Sequence, residues 1–150
     1  SYIEVRMESL VEFEGAELVT NWFGYWPSLH DSEVLSVNVD RGDSRLGPIV
    51  SVKVHAFQMT SNVTRQGFYE LEKHCLIEFR FDAVDLLQLK SVNHQNVIED
   101  IFLSETVAAN GSKRIAVHFE SIYGLELDFE CSRAQVAALV PFKPTSGVYV

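Results

Sequence analysis

The feature that most constrains this fold is a long run of period-two alternation in the middle of the chain. Tyr69, Leu71, Cys75, Ile77, Phe79 and Phe81 alternate with Glu70, Glu72, His74, Glu78, Arg80 and Asp82. Successive side chains of extended backbone point to opposite faces, so this spacing builds one apolar and one polar face. A helix would scatter the same residues around its circumference. Lys73 breaks the inward row, and a charge there implies a bulge, a sheet end or a change of pairing. The pattern recurs upstream. Leu35, Val37 and Val39 alternate with Ser36, Asn38 and Asp40, and Val50, Val52, Val54 and Ala56 with Ser51, Lys53 and His55. Further strands are expected at 84–89, 97–103, 114–120, 125–131 and 135–140.

Between these runs lie turn signals rather than helices. Residues 41–48 are rich in Gly, Asp, Ser and Pro, 60–67 read as a polar loop, and Asn110-Gly111 and Tyr123-Gly124 each mark a reversal. Pro141 and Pro144 end the patterned region. The best helix is 15–26, where Leu18, Val19, Trp22, Phe23 and Trp26 recur at three- and four-residue steps before Gly24 and Pro27 stop it. Trp22 and Phe23 are expected to fasten this helix to a sheet. Strands joined by short turns form an antiparallel meander rather than alternating strand–helix units. The expectation is therefore a mainly β (α+β) protein: about eight antiparallel strands and one N-terminal amphipathic helix. A sandwich, an open barrel and a curved sheet covered by the helix all fit. No linker, low-complexity stretch or repeat interrupts the pattern, so residues 1–150 read as a single domain. A chain of this length buries roughly 68–70% of its unfolded surface.

Charge narrows the partners. Asp and Glu total 21 against 12 Lys and Arg, a formal net charge of −9. Such a surface repels phosphate backbones, so direct nucleic-acid binding is disfavoured, whereas a basic protein would be attracted. No apolar run approaches the ~20 residues that span a bilayer. Ser1-Tyr2-Ile3-Glu4-Val5-Arg6 has neither a basic nor an apolar leader region, so no secretory signal is expected. Cys75 and Cys131 sit within strand-like runs among Leu and Phe, which reads as buried reduced thiols and a cytoplasmic location.

Chemistry-bearing side chains concentrate in Trp26-Pro27-Ser28-Leu29-His30-Asp31-Ser32-Glu33. In a turn His30 and Asp31 converge and Glu33 joins them as a third ligand or base. The competing reading makes Asp31 a turn residue bonded to backbone N–H groups, with His30 packed beside Trp26. Asn93-His94-Gln95-Asn96 is a second polar cluster, expected first of all to hold its own loop in shape. His55, His74 and His118 fall on polar sides of strands and read as exposed; adjacent strands would gather them on one face. No nucleophile elbow, phosphate-cradling glycine loop, dinucleotide fingerprint or zinc-protease helix is present. Neither a metal nor a cofactor is expected.

The stretch from Trp22-Phe23-Gly24-Tyr25-Trp26-Pro27 through His30-Asp31-Ser32-Glu33-Val34-Leu35, then Gly47-Pro48, the Asn93–Asn96 loop and Tyr123-Gly124, resembles immunity protein family 50. The likeness runs from about residue 21 to residue 131. It departs from the family pattern at Leu29, where an aromatic usually precedes His-Asp. The resemblance implies a small bacterial protein that protects its cell by binding a cognate toxin domain, for an acidic chain a basic nuclease, and occluding it stoichiometrically without turnover. Trp26, His30, Asp31, Glu33, His94 and Asn96 are the candidate contact residues, weighed against a structural role at the helix–strand junction. Two other readings stay open. One is a metal-assisted hydrolase or lyase using His30, Asp31 and His94. The other is a sandwich-like module binding a small molecule or glycan through Trp22, Tyr25 and Trp26. The oligomeric state is left open.

Overall fold

The computed structural model describes residues 11–144. The opening segment read for a targeting signal, Ser1–Arg6, lies outside them. Helix α1 (Glu17–Phe23) is followed by β1 (Glu33–Asp40), β2 (Ile49–Val63), β3 (Tyr69–Asp82), β4 (Asp85–Lys90), β5 (Val97–Val107), β6 (Lys113–Tyr123), β7 (Glu126–Cys131) and β8 (Arg133–Pro141). All eight strands join one open sheet in the order β4-β7-β6-β5-β1-β2-β3-β8, each pair antiparallel. The mainly β expectation with one helix holds, and among the open alternatives the chain adopts the curved sheet. No helix of the described residues is long and apolar enough to cross a membrane.

The sheet has a narrow waist. β1 and β5 share only the Glu33–Val97 ladder pair, supported by Val34 N–H to Asn96 O at 2.8 Å and Ile98 N–H to Ser32 O at 2.9 Å. On either side lie four strands, and the two halves fold toward each other. Phe81 on β3 meets Phe129 on β7 at 4.8 Å and Phe119 on β6 at 6.1 Å between centroids, both edge-on. Strands four and five places apart in the order touch this way only if the sheet curls. Val50, Val52, Val54, Ile77, Phe79, Ile98, Phe119 and Leu127 are fully buried between the halves, each worth about 1.5–3 kcal/mol for a large apolar side chain. Cys75 and Cys131 lie free in the same core, and burial pushes each thiol up to about 12.

Helix α1 closes one side of this core with Val19 and Phe23, and Trp22 Nε1 donates to Lys73 O at 3.0 Å. The expected fastening role of Trp22 and Phe23 is what the helix shows. It is shorter than 15–26, because Gly24 takes φ 89° and caps it by donating to Thr20 O; Trp26 lies beyond it. The segment before the helix docks on β8 through Val136 N–H to Glu14 O at 2.7 Å. Gly15 is required there: it has φ 74°, and a Cβ would sit 2.6 Å from Val136 O.

Three strand details differ from or sharpen the expected pattern. β2 runs through Val63 and consumes half of the polar 60–67 loop, because a hairpin arm pairs its backbone whatever the polarity of Thr60, Ser61 and Asn62. A register shift between Val34 and Ser36 buries Val34 and exposes Leu35, which the simple alternation placed inward. Lys73 does mark a bulge: it takes φ 54°, and the register with β2 slips between Ala56 and Gln58 opposite it.

Candidate functional site

The turn before β1 alternates inward and outward side chains. Leu29 and Ser32 are buried, while His30 is exposed between them. Leu29 is 1% exposed and serves as core. Asp31 holds φ 68°, a left-handed conformation that Asp tolerates, and its N–H bonds Ile98 O at 3.0 Å. Its carboxylate turns to His30 Nδ1 at 3.1 Å, and Glu99 faces His30 Nε2 at 3.2 Å. Among the described residues, Asp31 thus makes the turn with its backbone conformation rather than through side-chain bonds to backbone N–H groups. Trp26 stacks instead on Phe13, at 5.6 Å and 18°. It borders a separate hollow of about 380 Å³ with Phe13, Ile101 and Leu103.

Where β1 begins, the narrow waist leaves a cleft of about 240 Å³ lined by Asp31, Glu33, His55, Phe57, Leu71, His74, Gln95 and Val97. Glu33 is paired with His55 on one side and Val97 on the other. Burial raises its carboxyl pKa, opposed by the Asn96 backbone hydrogen bond and the nearby His94. The sequence reading placed His55 and His74 in solvent, and the structure corrects this. His55 is 2% exposed, its Nε2 lies 2.9 Å from His74 Nδ1, and Phe142 packs edge-on against it at 4.9 Å. Burial, with His74 adding to it, pushes His55 down to about 4. Burial also lowers His74, against a backbone hydrogen bond at Leu71. The pair is therefore neutral at pH 7, one ring nitrogen donating and the other accepting.

Phe57 is shared with an adjoining groove of about 230 Å³ lined by Tyr25, Pro27, Ser28, His30, Gln58 and Met59. Gln58 Oε1 is buried there without a hydrogen-bond partner among the described residues. The β2–β3 arm extends from this surface with Met59, Val63, Phe68 and Tyr69 exposed. Phe57, Gln58 and Met59 were not singled out from the sequence. Only the unbroken β-rich run after Ala56 hinted that the strand continued past its buried section.

The Asn93–Asn96 loop holds itself, as expected. Asn96 Oδ1 accepts from Asn93 N at 2.9 Å and Leu125 N at 3.0 Å, and its Nδ2 donates to Asn93 O at 2.8 Å. Gly124 passes so close that a Cβ would lie 2.6 Å from Asn96 Oδ1. His94 rests edge-on against Tyr123 and bonds Asn93 Oδ1 at 2.7 Å. The structure thus gathers His30, Asp31 and Glu33 around the cleft and its neighbouring groove, and sets Trp26 and Asn96 in other surroundings. Trp22 spends its N–H on Lys73, so Trp22, Tyr25 and Trp26 form no common platform.

His118, also read as exposed, is half-buried in a different region. Its Nδ1 is 2.6 Å from Asp128 Oδ1, its Nε2 is hydrogen-bonded to Glu120, and Glu126 lies at 3.9 Å. Burial alone would lower its pKa, but the hydrogen bonds and charges of Glu120 and Asp128 outweigh it and raise the group. Among the described residues, the group of ligand atoms close enough to share a metal ion is His118, Glu120 and Glu126, not His30, Asp31 and His94.

Comparison with known proteins completes the picture. The sequence model of the family described as Immunity protein 50 matches residues 15–142. No curated protein and no solved structure matches the chain.

Proposed function

From a chain that belongs to the immunity protein 50 family, we propose a protein that binds a cognate toxin domain and neutralises it by stoichiometric occlusion. The family match over residues 15–142 is the observation that carries this reading. The contact surface in this proposal is the cleft and groove on either side of Phe57, with His30, Asp31 and Glu33 at its centre. Its features suit a protein partner: exposed Tyr25, Met59, Phe68 and Tyr69 supply aromatic and flexible apolar contacts. Asp31, Glu33 and Glu99, with Glu70 and Glu72 on the arm, favour a basic partner, and the net charge of −9 speeds its encounter. A nuclease toxin has the required charge. His94, Asn96 and Trp26 act in this reading as supports of the surface more than as contacts.

The test is co-expression. Cells producing the toxin domain encoded beside this chain should survive only when the chain is present. Met59→Asp and Glu99→Lys, both at exposed positions, should weaken protection while leaving the circular dichroism spectrum unchanged. Full protection by both folded variants would remove this face from the interface. Toxicity undiminished by the wild-type chain would remove the function.

A further inference from the structure

We propose that the outer face of the β6–β7 hairpin is a binding site for a divalent transition-metal ion, with His118 Nε2, Glu120 and Glu126 as ligands and Asp128 orienting the imidazole. The register builds it. His118 stands directly opposite Asp128, Glu120 lies two residues further along β6, and Glu126 two residues back along β7. Period-two geometry therefore turns all four side chains to one face.

The chemistry of the four groups is graded. Asp128 Oδ1, 2.6 Å from Nδ1, accepts the Nδ1–H hydrogen bond and so leaves Nε2 as the lone-pair donor, the carboxylate–histidine–metal arrangement. Nε2 and one oxygen each of Glu120 and Glu126 lie within 4.8 Å of one another, a spread that ligands about 2.0–2.2 Å from one ion can close. Phe102 stacks on the imidazole at 6.3 Å and 24°, limiting its rotation. Charge points the same way. Among the described residues, the ion pairs of Glu120, Glu126 and Asp128 are all with His118. Lys90, paired across from Glu126, forms none with them. Like charges on neighbouring strands repel, and beside a neutral imidazole ligand the three carboxylates carry three negative charges, two of which a divalent ion offsets. A nitrogen ligand with carboxylates selects Zn²⁺ or Mn²⁺ over Ca²⁺, which prefers oxygen alone. Glu120 is about half exposed (49%), so water completes the coordination.

The experiment uses the full chain, stripped with chelator and titrated with Zn²⁺ by calorimetry. One equivalent should bind, with no competition from Ca²⁺ at the same concentration. The Glu120→Gln/Glu126→Gln double variant should lose that equivalent, Asp128→Asn should bind about 10–100-fold more weakly, and His74→Ala should bind as the wild type does. Nitrogen NMR of the wild-type imidazoles keeps the test valid should a variant misfold: Zn²⁺ should move His118 Nε2 alone to the metal-bound range. The proposal is overturned by no uptake, by uptake unchanged in the folded double variant, by loss in His74→Ala, by Ca²⁺ competition, or by an unshifted His118.

Discussion

His55 and His118 occupy equivalent places in the sequence, each on the polar side of an alternating strand, yet the folded chain treats them oppositely. In the β1-β2-β3-β8 half, His55 faces His74 beneath Phe142, and burial keeps both rings neutral. In the β4-β7-β6-β5 half, His118 faces Asp128, Glu120 and Glu126, and their hydrogen bonds and charges favour its protonated form. What stands across the ladder decides the charge of a strand histidine. The first arrangement lines an aromatic cleft suited to another protein's surface, and the second concentrates negative charge suited to a cation.

Several measurements break or sharpen this contrast. It presumes one core common to both halves, and Phe81 on β3 packs against the rings of the other half. Phe81→Ala should cost about 3–5 kcal/mol in a denaturant titration, in a single transition. Two separate transitions would show halves that fold independently.

Next comes the acid response of the neutral pair. Unfolded His55 takes a proton near its ordinary 6.5, whereas the folded group waits until about 4. Between those values the unfolded state binds more protons, so stability is full above pH 6.5 and falls as pH drops. The loss reaches roughly 3 kcal/mol at 1.36 kcal/mol per unit. A His55→Phe/His74→Leu variant should lose less stability than the wild type over the same range, and an identical loss in both proteins would contradict a neutral pair. Asn96→Ala should cost about 1–2 kcal/mol, because three hydrogen bonds of its loop end on that side chain. The smallest effect belongs to His118. Its pKa is raised, so its contribution is present below pH 6.5 and disappears as pH rises through the folded value. In chelator, the wild type should exceed His118→Gln by about 1 kcal/mol or less at pH 6, since the group is partly exposed. The difference should vanish at alkaline pH.

Much of the architecture is legible in local pattern. Alternation locates the strands, Asn110-Gly111 and Tyr123-Gly124 locate reversals, and Lys73 betrays its bulge by placing charge in an apolar row. The site is less legible because it depends on register. Nothing local tells that His55 will meet His74, that Asp128 will stand opposite His118, or that a slip at Leu35 will turn that side chain outward. The His30-Asp31-Glu33 group was visible as a crowd of functional side chains. Phe57, Gln58 and Met59, which complete its surroundings, were not, because an ordinary strand continuation carries them.

The central claim is neutralisation by occupying a toxin's surface with no turnover, and a stoichiometric titration tests it most directly. Adding the chain to a fixed amount of the toxin domain encoded beside it should abolish toxin activity at one equivalent, with a complex of matching mass by light scattering. Met59→Asp should shift that endpoint at least about tenfold in affinity, or 1.4 kcal/mol, and His118→Gln should leave it in place. Inactivation of many equivalents of toxin by one of the chain, or full toxin activity at excess chain, would contradict the account.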